Sequence, residues 1–134
     1  MTTIQEASVE ERVAQAWEFM AQSEAEFAVG DTRQAAEKLY GAAVQAVVAA
    51  SCQRGWDFQS HRANKNAARQ LAEEYDDPFL SAGFTAAEKF HIHFHHGDME
   101  DYQITADRYV VRRYLERMVK LIEEYEADRN EEPH

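Results

Sequence analysis

Four of the six histidines of this 134-residue chain fall within six residues, in the stretch Ala87-Glu88-Lys89-Phe90-His91-Ile92-His93-Phe94-His95-His96. Imidazoles at this density can ligate a metal, carry protons or pair with carboxylates. The stretch reads as a helix stopped by Gly97, and a rotation of about 100° per residue divides the cluster in two. Glu88, His91 and His95 project from one sector, bordering the apolar stripe Leu80, Phe84, Ala87 and Phe94. His93, His96 and Lys89 point to the opposite side, which would face solvent. Glu88 and His91 have the Glu-x-x-His spacing by which one helix directs a carboxylate and an imidazole to a single ion. A di-iron centre would need a second such motif and two further carboxylates. The chemistry this segment offers is therefore a mononuclear divalent-metal site of Glu88, His91 and His95, completed by Glu37 or His61 and suited to zinc, nickel or iron. The competing structural role is a hydrogen-bonded core histidine at position 91.

A second arrangement lies upstream, in Arg54-Gly55-Trp56-Asp57-Phe58-Gln59-Ser60-His61. Trp56, His61, His91 and His95 form the candidate ligand pocket, in which an aromatic wall would stand beside titratable groups. The structural alternative for His61 is a first-turn residue that fixes its loop against Trp56.

Five helical segments must position these groups. The first is predicted from Ser8, with the capping-box pattern Ser8-Val9-Glu10-Glu11, to Val29; Val13, Trp17, Met20 and Phe27 form its apolar stripe. Asp31 caps a second helix reaching about Gln53. Its small-residue face of Ala36, Leu39, Tyr40, Ala43, Val47 and Ala50 predicts a central element. Ser60 caps a third, with thin apolar content, through Tyr75 at the edge of the bundle. Asp77-Pro78 starts the fourth, and the loop from Gly97 to Asp101 leads to a fifth from near Thr105. That last helix carries Val111, Tyr114, Leu115, Met118, Ile122 and Tyr125 on one side before dissolving from Asp128 onward. The fold expected is an all-α, compact antiparallel bundle of about five helices. It forms one domain over residues 1–134, with a short flexible N-terminus and an acidic C-terminal tail.

Composition excludes several classes. A hydrophobic content of 45% over this length supports one core. No apolar run approaches the ~20 residues of a membrane span, and the first residues lack the basic and apolar regions of a secretory signal, which predicts a cytoplasmic protein. The only cysteine, Cys52, has no intrachain disulfide partner and reads as a small buried thiol. The net charge of −11 argues against a broad nucleic-acid surface. Arg108, Arg112, Arg113, Arg117 and Lys120 do gather on one stretch, and are expected to pair with Glu10, Glu11, Glu18, Glu24 and Glu26 of the first helix.

Residues 27–47 also have the texture of one tetratricopeptide unit, which would make the chain a protein-interaction module. The pattern does not recur 34 residues on, where Gln70 and Glu74 stand in place of Ala36 and Tyr40, and such folds require stacked copies.

Three passages carry a different resemblance: residues 30–43 across the first hairpin (Gly30-Asp31 through Glu37, Tyr40 and Ala43), Arg54-Gly55-Trp56 with Ser60-His61, and Ala87 to Phe94. Together they resemble the HEPN superfamily of small helical bundles, and within it the PaREP-like group. That resemblance implies an antiparallel bundle, often a homodimer, associated with nucleotides or RNA. It also implies a place in toxin–antitoxin or defence systems, with a nucleotidyltransferase or antitoxin as partner. Catalytic members carry Arg followed four to six residues later by His near the start of a late helix. In that pair, as the resemblance implies, the guanidinium positions a phosphodiester and the imidazole handles the proton of a ribose hydroxyl. Here the late helix has arginines but no histidine before His134. Arg54 and His61 match the spacing and are the candidate catalytic residues, but they lie at the turn after the second helix, so the family's catalytic assignment does not transfer to them.

Overall fold

The computed structural model describes residues 4–131, and five helices account for nearly all of them: α1 (Ile4–Ala28), α2 (Thr32–Arg54), α3 (His61–Glu74), α4 (Phe79–His96) and α5 (Asp101–Glu131). No strand occurs among the described residues. The stops are local chemistry. Asp31 accepts a hydrogen bond from the Gln34 amide, and Ser60 accepts one from that of Ala63. These satisfy amides that have no intrahelical partner. Gly55 and Gly97 close α2 and α4 at φ of 72° and 67°, where a side chain would be strained.

α2 is the central element and touches all four other helices. Its buried face is built largely of alanine, with Ala35, Ala36, Ala42, Ala43, Ala46, Ala49 and Ala50 all sequestered, which lets neighbouring backbones approach closely. A similar economy operates between α4 and α5. A Cβ added at Gly83 would lie 2.3 Å from the Tyr114 ring, so only glycine admits that fully buried tyrosine.

Contacts fix the directions of the helices. Tyr40 meets His61, whereas Arg54 meets Glu74 and Tyr75, so α3 runs alongside α2 in the same direction. Glu37 meets His91 and Arg33 meets Phe94, so α4 runs antiparallel to both. α4 is thereby enclosed, with α2 and α3 on one side and α5 on another. As expected, α3 is peripheral: only Asn64, Ala67, Ala68 and Leu71 are buried.

Both long terminal helices extend beyond their expected limits. α1 begins at Ile4, so Ser8 lies inside a helix and caps nothing. Of the predicted stripe, Met20 is buried and Val13 and Phe27 pack against the core, whereas Trp17 is exposed; Val9, Ala16 and Ser23 complete the buried face. α5 begins at Asp101 and continues to Glu131, so Asp128 to Glu131 are helical rather than dissolved. The expected flexible ends lie partly outside the described residues, as does His134. The loop before α5 consequently covers only residues 97–100, and its shortness brings Met99 and Ile104 back onto the core.

The basic strip on α5 pairs with α1 only in part as expected. Arg112 forms an ion pair with Glu24 of α1. Arg117 instead bonds Asp77, Arg108 lies 3.9 Å over the Phe27 ring, and Arg113 donates to the Tyr109 hydroxyl. Cys52 is half-buried against the core rather than fully buried. No helix among the described residues is long and apolar enough to cross a membrane.

Candidate functional site

Two residue pairs at i, i+3 spacing define the site, since that spacing places both members on one helix face. Glu37 and Tyr40 come from α2, and Glu88 and His91 from α4. His61, the first residue of α3, completes the group because Ser60 starts the helix beside them. The Tyr40 hydroxyl lies 2.8 Å from His61 Nδ1, and His61 Nε2 lies 2.9 Å from Glu88 Oε2. On the other side of the tyrosine, His91 Nδ1 lies 2.9 Å from Glu37 Oε2. The His91 and Tyr40 rings stack at 4.5 Å and 27°, and His95 meets His91 edge-on at 4.9 Å. Phe84 floors the group, 6.4 Å from both the Tyr40 and His61 rings. Arg33 reaches from α2 to the carbonyls of Phe94 and His95, fastening the C-terminal end of α4 to α2.

The electrostatics orient this chain of groups. Burial, with the Glu88 and Glu37 carboxylates adding to it, pushes the Tyr40 hydroxyl up to about 12. The hydroxyl therefore keeps its proton. In the neutral Nε2–H tautomer, His61 donates to the Glu88 carboxylate and its Nδ1 accepts a hydrogen bond from the Tyr40 hydroxyl. Glu37, as a carboxylate, accepts the Nδ1 proton of His91 and leaves that ring's Nε2 lone pair without a bond to any described residue. The His61 and His91 side chains remain 50% and 37% exposed, so both can be reached from solvent. The arrangement thus offers two imidazoles, each held by a carboxylate, on either side of a protonated tyrosine. Such groups can hydrogen-bond an anion or a hydroxyl and hold or release a proton.

The structure brings together His61, His91 and His95, three of the four candidate ligand residues. Trp56 is elsewhere. It faces a separate cavity, with the Arg54 guanidinium 5.6 Å over its ring. Glu88 turns to His61 rather than sharing an ion with His91. Among the described residues, no three His, Cys, Asp or Glu side chains are placed to hold a metal ion. The Glu88, His91 and His95 metal site therefore lacks geometric support.

Arg54 and His61 do not meet. Arg54 donates to Glu74 and the Tyr75 hydroxyl at the end of α3, whereas His61 is the first residue of that 14-residue helix, a separation of roughly 20 Å at 1.5 Å per residue. The Arg54 side chain is only 5% exposed and lies 4.3 Å over the Tyr125 ring. Its donors also reach the Ala50 carbonyl and the Gln53 amide oxygen, so it ties α2, α3 and α5 together.

The expectation that His93 faces solvent is corrected. It is 4% exposed, and its Nδ1 accepts the Met99 amide proton at 3.0 Å. The helical rotation was rightly divided, but α5 and its leading loop pack on the side assigned to water. His96 is exposed, and Lys89 is exposed while pairing with Asp107. Tyr40 is the site residue that sequence reasoning placed only in the core. Its signal was an aromatic hydroxyl three residues after Glu37 on a face otherwise built of alanine.

Residues 11–115 match the family model of the archaeal PaREP1/PaREP8 family. No curated protein and no solved structure matches the chain. The matched region takes in most of the chain, from within α1 to the middle of α5, and includes every residue of the Tyr40 site. The chain belongs to the archaeal PaREP1/PaREP8 family.

Proposed function

We propose that the protein is a nucleotide- or RNA-associated helical bundle of HEPN type, and that it engages its ligand at Glu37, Tyr40, His61, Glu88 and His91. The observation that carries this reading is the pair of carboxylate-held imidazoles flanking the protonated, stacked Tyr40. Imidazoles fixed in this way present N–H donors to phosphate oxygens when protonated and an acceptor to ribose hydroxyls when neutral. The stacked Tyr40 and His91 rings, with His95 set edge-on to His91, supply aromatic surface for a base. Acidic neighbours match the overall charge of −11 and favour a local, few-contact ligand over a long phosphate track. The HEPN resemblance supports, on the same footing, a two-fold dimer and a place in a toxin–antitoxin or defence system beside a nucleotidyltransferase or antitoxin.

The test is a titration followed through the imidazole nitrogens by NMR, in chelator, with AMP and with a short single-stranded RNA. Saturable movement of the His61 and His91 signals, with those of exposed His96 still, is the expected result. Tyr40→Phe should weaken the response while the fold persists. Stationary His61 and His91 signals at millimolar AMP and with RNA present would remove the reading.

A further inference from the structure

A cavity of about 350 Å³ lies against α3, lined by Trp56 and Asp57 of the connection from α2 and by Arg62, Asn66 and Gln70 of the helix itself. We propose that this cavity binds one nucleotide unit, with the base against Trp56. The proposal rests on the nucleotide-associated reading above but concerns a different place: at about 100° per residue, the Asn66 and Gln70 side of α3 lies opposite the face that carries His61.

The chemistry follows from the lining. Arg62, Asn66 and Gln70 recur every four residues, so they form one polar ladder with a helical turn between rungs. Ala63 and Ala67 lie beside that ladder and, being small, give the cavity its depth. Each amide offers both a donor and an acceptor, the combination that reads the edge of a base. The indole supplies a stacking surface. Arg62 stands at the first turn, where a guanidinium and the amide-rich end of α3 both favour a phosphate, and the Asp57 carboxylate can accept from ribose hydroxyls. The volume is within the range of small-molecule sites. The wall is also set in advance. The Trp56 amide donates to the Ser51 carbonyl at 3.0 Å, the Asp57 carboxylate accepts from the Gln59 amide, and Arg54 lies over the indole. The Trp56 side of the cavity therefore needs little ordering on binding.

A free nucleoside monophosphate and a nucleotide within an RNA strand share this chemistry. In the second case, the strand would pass over the first turn of α3, with a neighbouring nucleotide at His61 and His91.

Trp17→Phe leaves Trp56 as the only indole, so its fluorescence reports the cavity alone. We expect saturable quenching by AMP, by a hexameric adenine RNA or by both, and none by ribose 5-phosphate. Quenching by AMP identifies the free nucleotide as a ligand, and quenching by RNA alone identifies the strand. Asn66→Ala and Gln70→Ala change exposed side chains, so they should leave the melting temperature unchanged while weakening binding about tenfold each, the size of one lost hydrogen bond. Saturation by neither probe, or saturation indifferent to both amides, overturns the proposal. Movement of the His61 and His91 signals without any Trp56 response overturns this cavity and leaves the Tyr40 site standing. A Trp56 response that needs both amides while His61 and His91 stay still supports the cavity and removes the Tyr40 site.

Discussion

Tyr40→Phe removes one oxygen from the centre of the site, and its cost can be worked out from the contacts. The ring remains, so stacking on His91 at 4.5 Å and packing against Phe84 are retained. What disappears is the 2.8 Å hydrogen bond to His61 Nδ1. Since the His61 side chain is 50% exposed, water can take the place of the hydroxyl, and no full desolvation penalty is left behind. The loss at neutral pH should therefore sit at the lower end for a hydrogen bond, about 0.5–1 kcal/mol. Alkaline pH removes the difference. The Tyr40 hydroxyl ionises near 12 in the folded chain and near 10 in the unfolded one. Between those values the folded state binds the extra proton, so the stability contributed by Tyr40 is complete below pH 10 and is lost as pH rises towards 12. At pH 11 the undiscounted loss is roughly 1.4 kcal/mol. Discounting for partial exposure leaves about 0.5–1 kcal/mol, enough to cancel the neutral-pH advantage. Urea unfolding of wild type and Tyr40→Phe at pH 7, 9 and 11 gives the answer, because every other titrating group cancels in the difference. The two proteins should converge by pH 11. A difference that stays constant or widens with pH would refute the proton assignment on which the site rests.

Gly83→Ala should destabilise the protein by about 1–3 kcal/mol in thermal unfolding despite the better helix propensity of alanine, since the new methyl would meet the Tyr114 ring at 2.3 Å. Tyr114→Phe should be neutral or stabilising by the same measurement, because its buried hydroxyl has no hydrogen-bond partner among the described residues. Arg54→Lys should cost about 1–3 kcal/mol, measured in urea, while leaving the nucleotide response of His61 and His91 intact; loss of that response in a folded variant would restore Arg54 to the site. Light scattering should find a dimer at micromolar concentration. Tyr102→Glu with Tyr109→Glu should convert it to a monomer, because the alanine face of α2 is consumed inside the bundle and these α5 tyrosines remain exposed.

Five helices were legible in the sequence because their stops are local. Asp31, Ser60, Gly55 and Gly97 each act through backbone groups within a few residues. The centrality of α2 was legible for a related reason, since a run of alanines buries well only where a neighbour approaches closely. The start of α1 and both ends of α5 were not legible. A capping pattern such as Ser8-Val9-Glu10-Glu11 shows where a helix is able to begin, and the residues before it continued the helix instead. The direction of α3 was also hidden, because it depends on where the Gly55–Ser60 connection carries the chain and not on any periodicity.

The site shows the same division. Rotation along α4 correctly separated Glu88, His91 and His95 from His93 and His96, because that depends on one helix alone. Which side meets water depends on what packs there, and α4 is enclosed on more than one face. His93 was therefore misassigned, while Glu88 and His91, adjacent on one sector, took separate partners from α3 and α2.

Charge placement sets these groups apart from Arg54. A guanidinium that is 5% exposed, with donors committed to Glu74, Tyr75, Ala50 and Gln53, has no free edge for a phosphodiester. Removing it from those partners would leave a buried charge or several unpaired acceptors, so its position is structural by energy as well as by distance. His61 and His91 stand in the opposite condition. Each is oriented by one carboxylate and remains open to solvent, so a ligand can reach the rings without breaking the fold. In this bundle, the residues free to meet a ligand are those whose partners orient them without enclosing them.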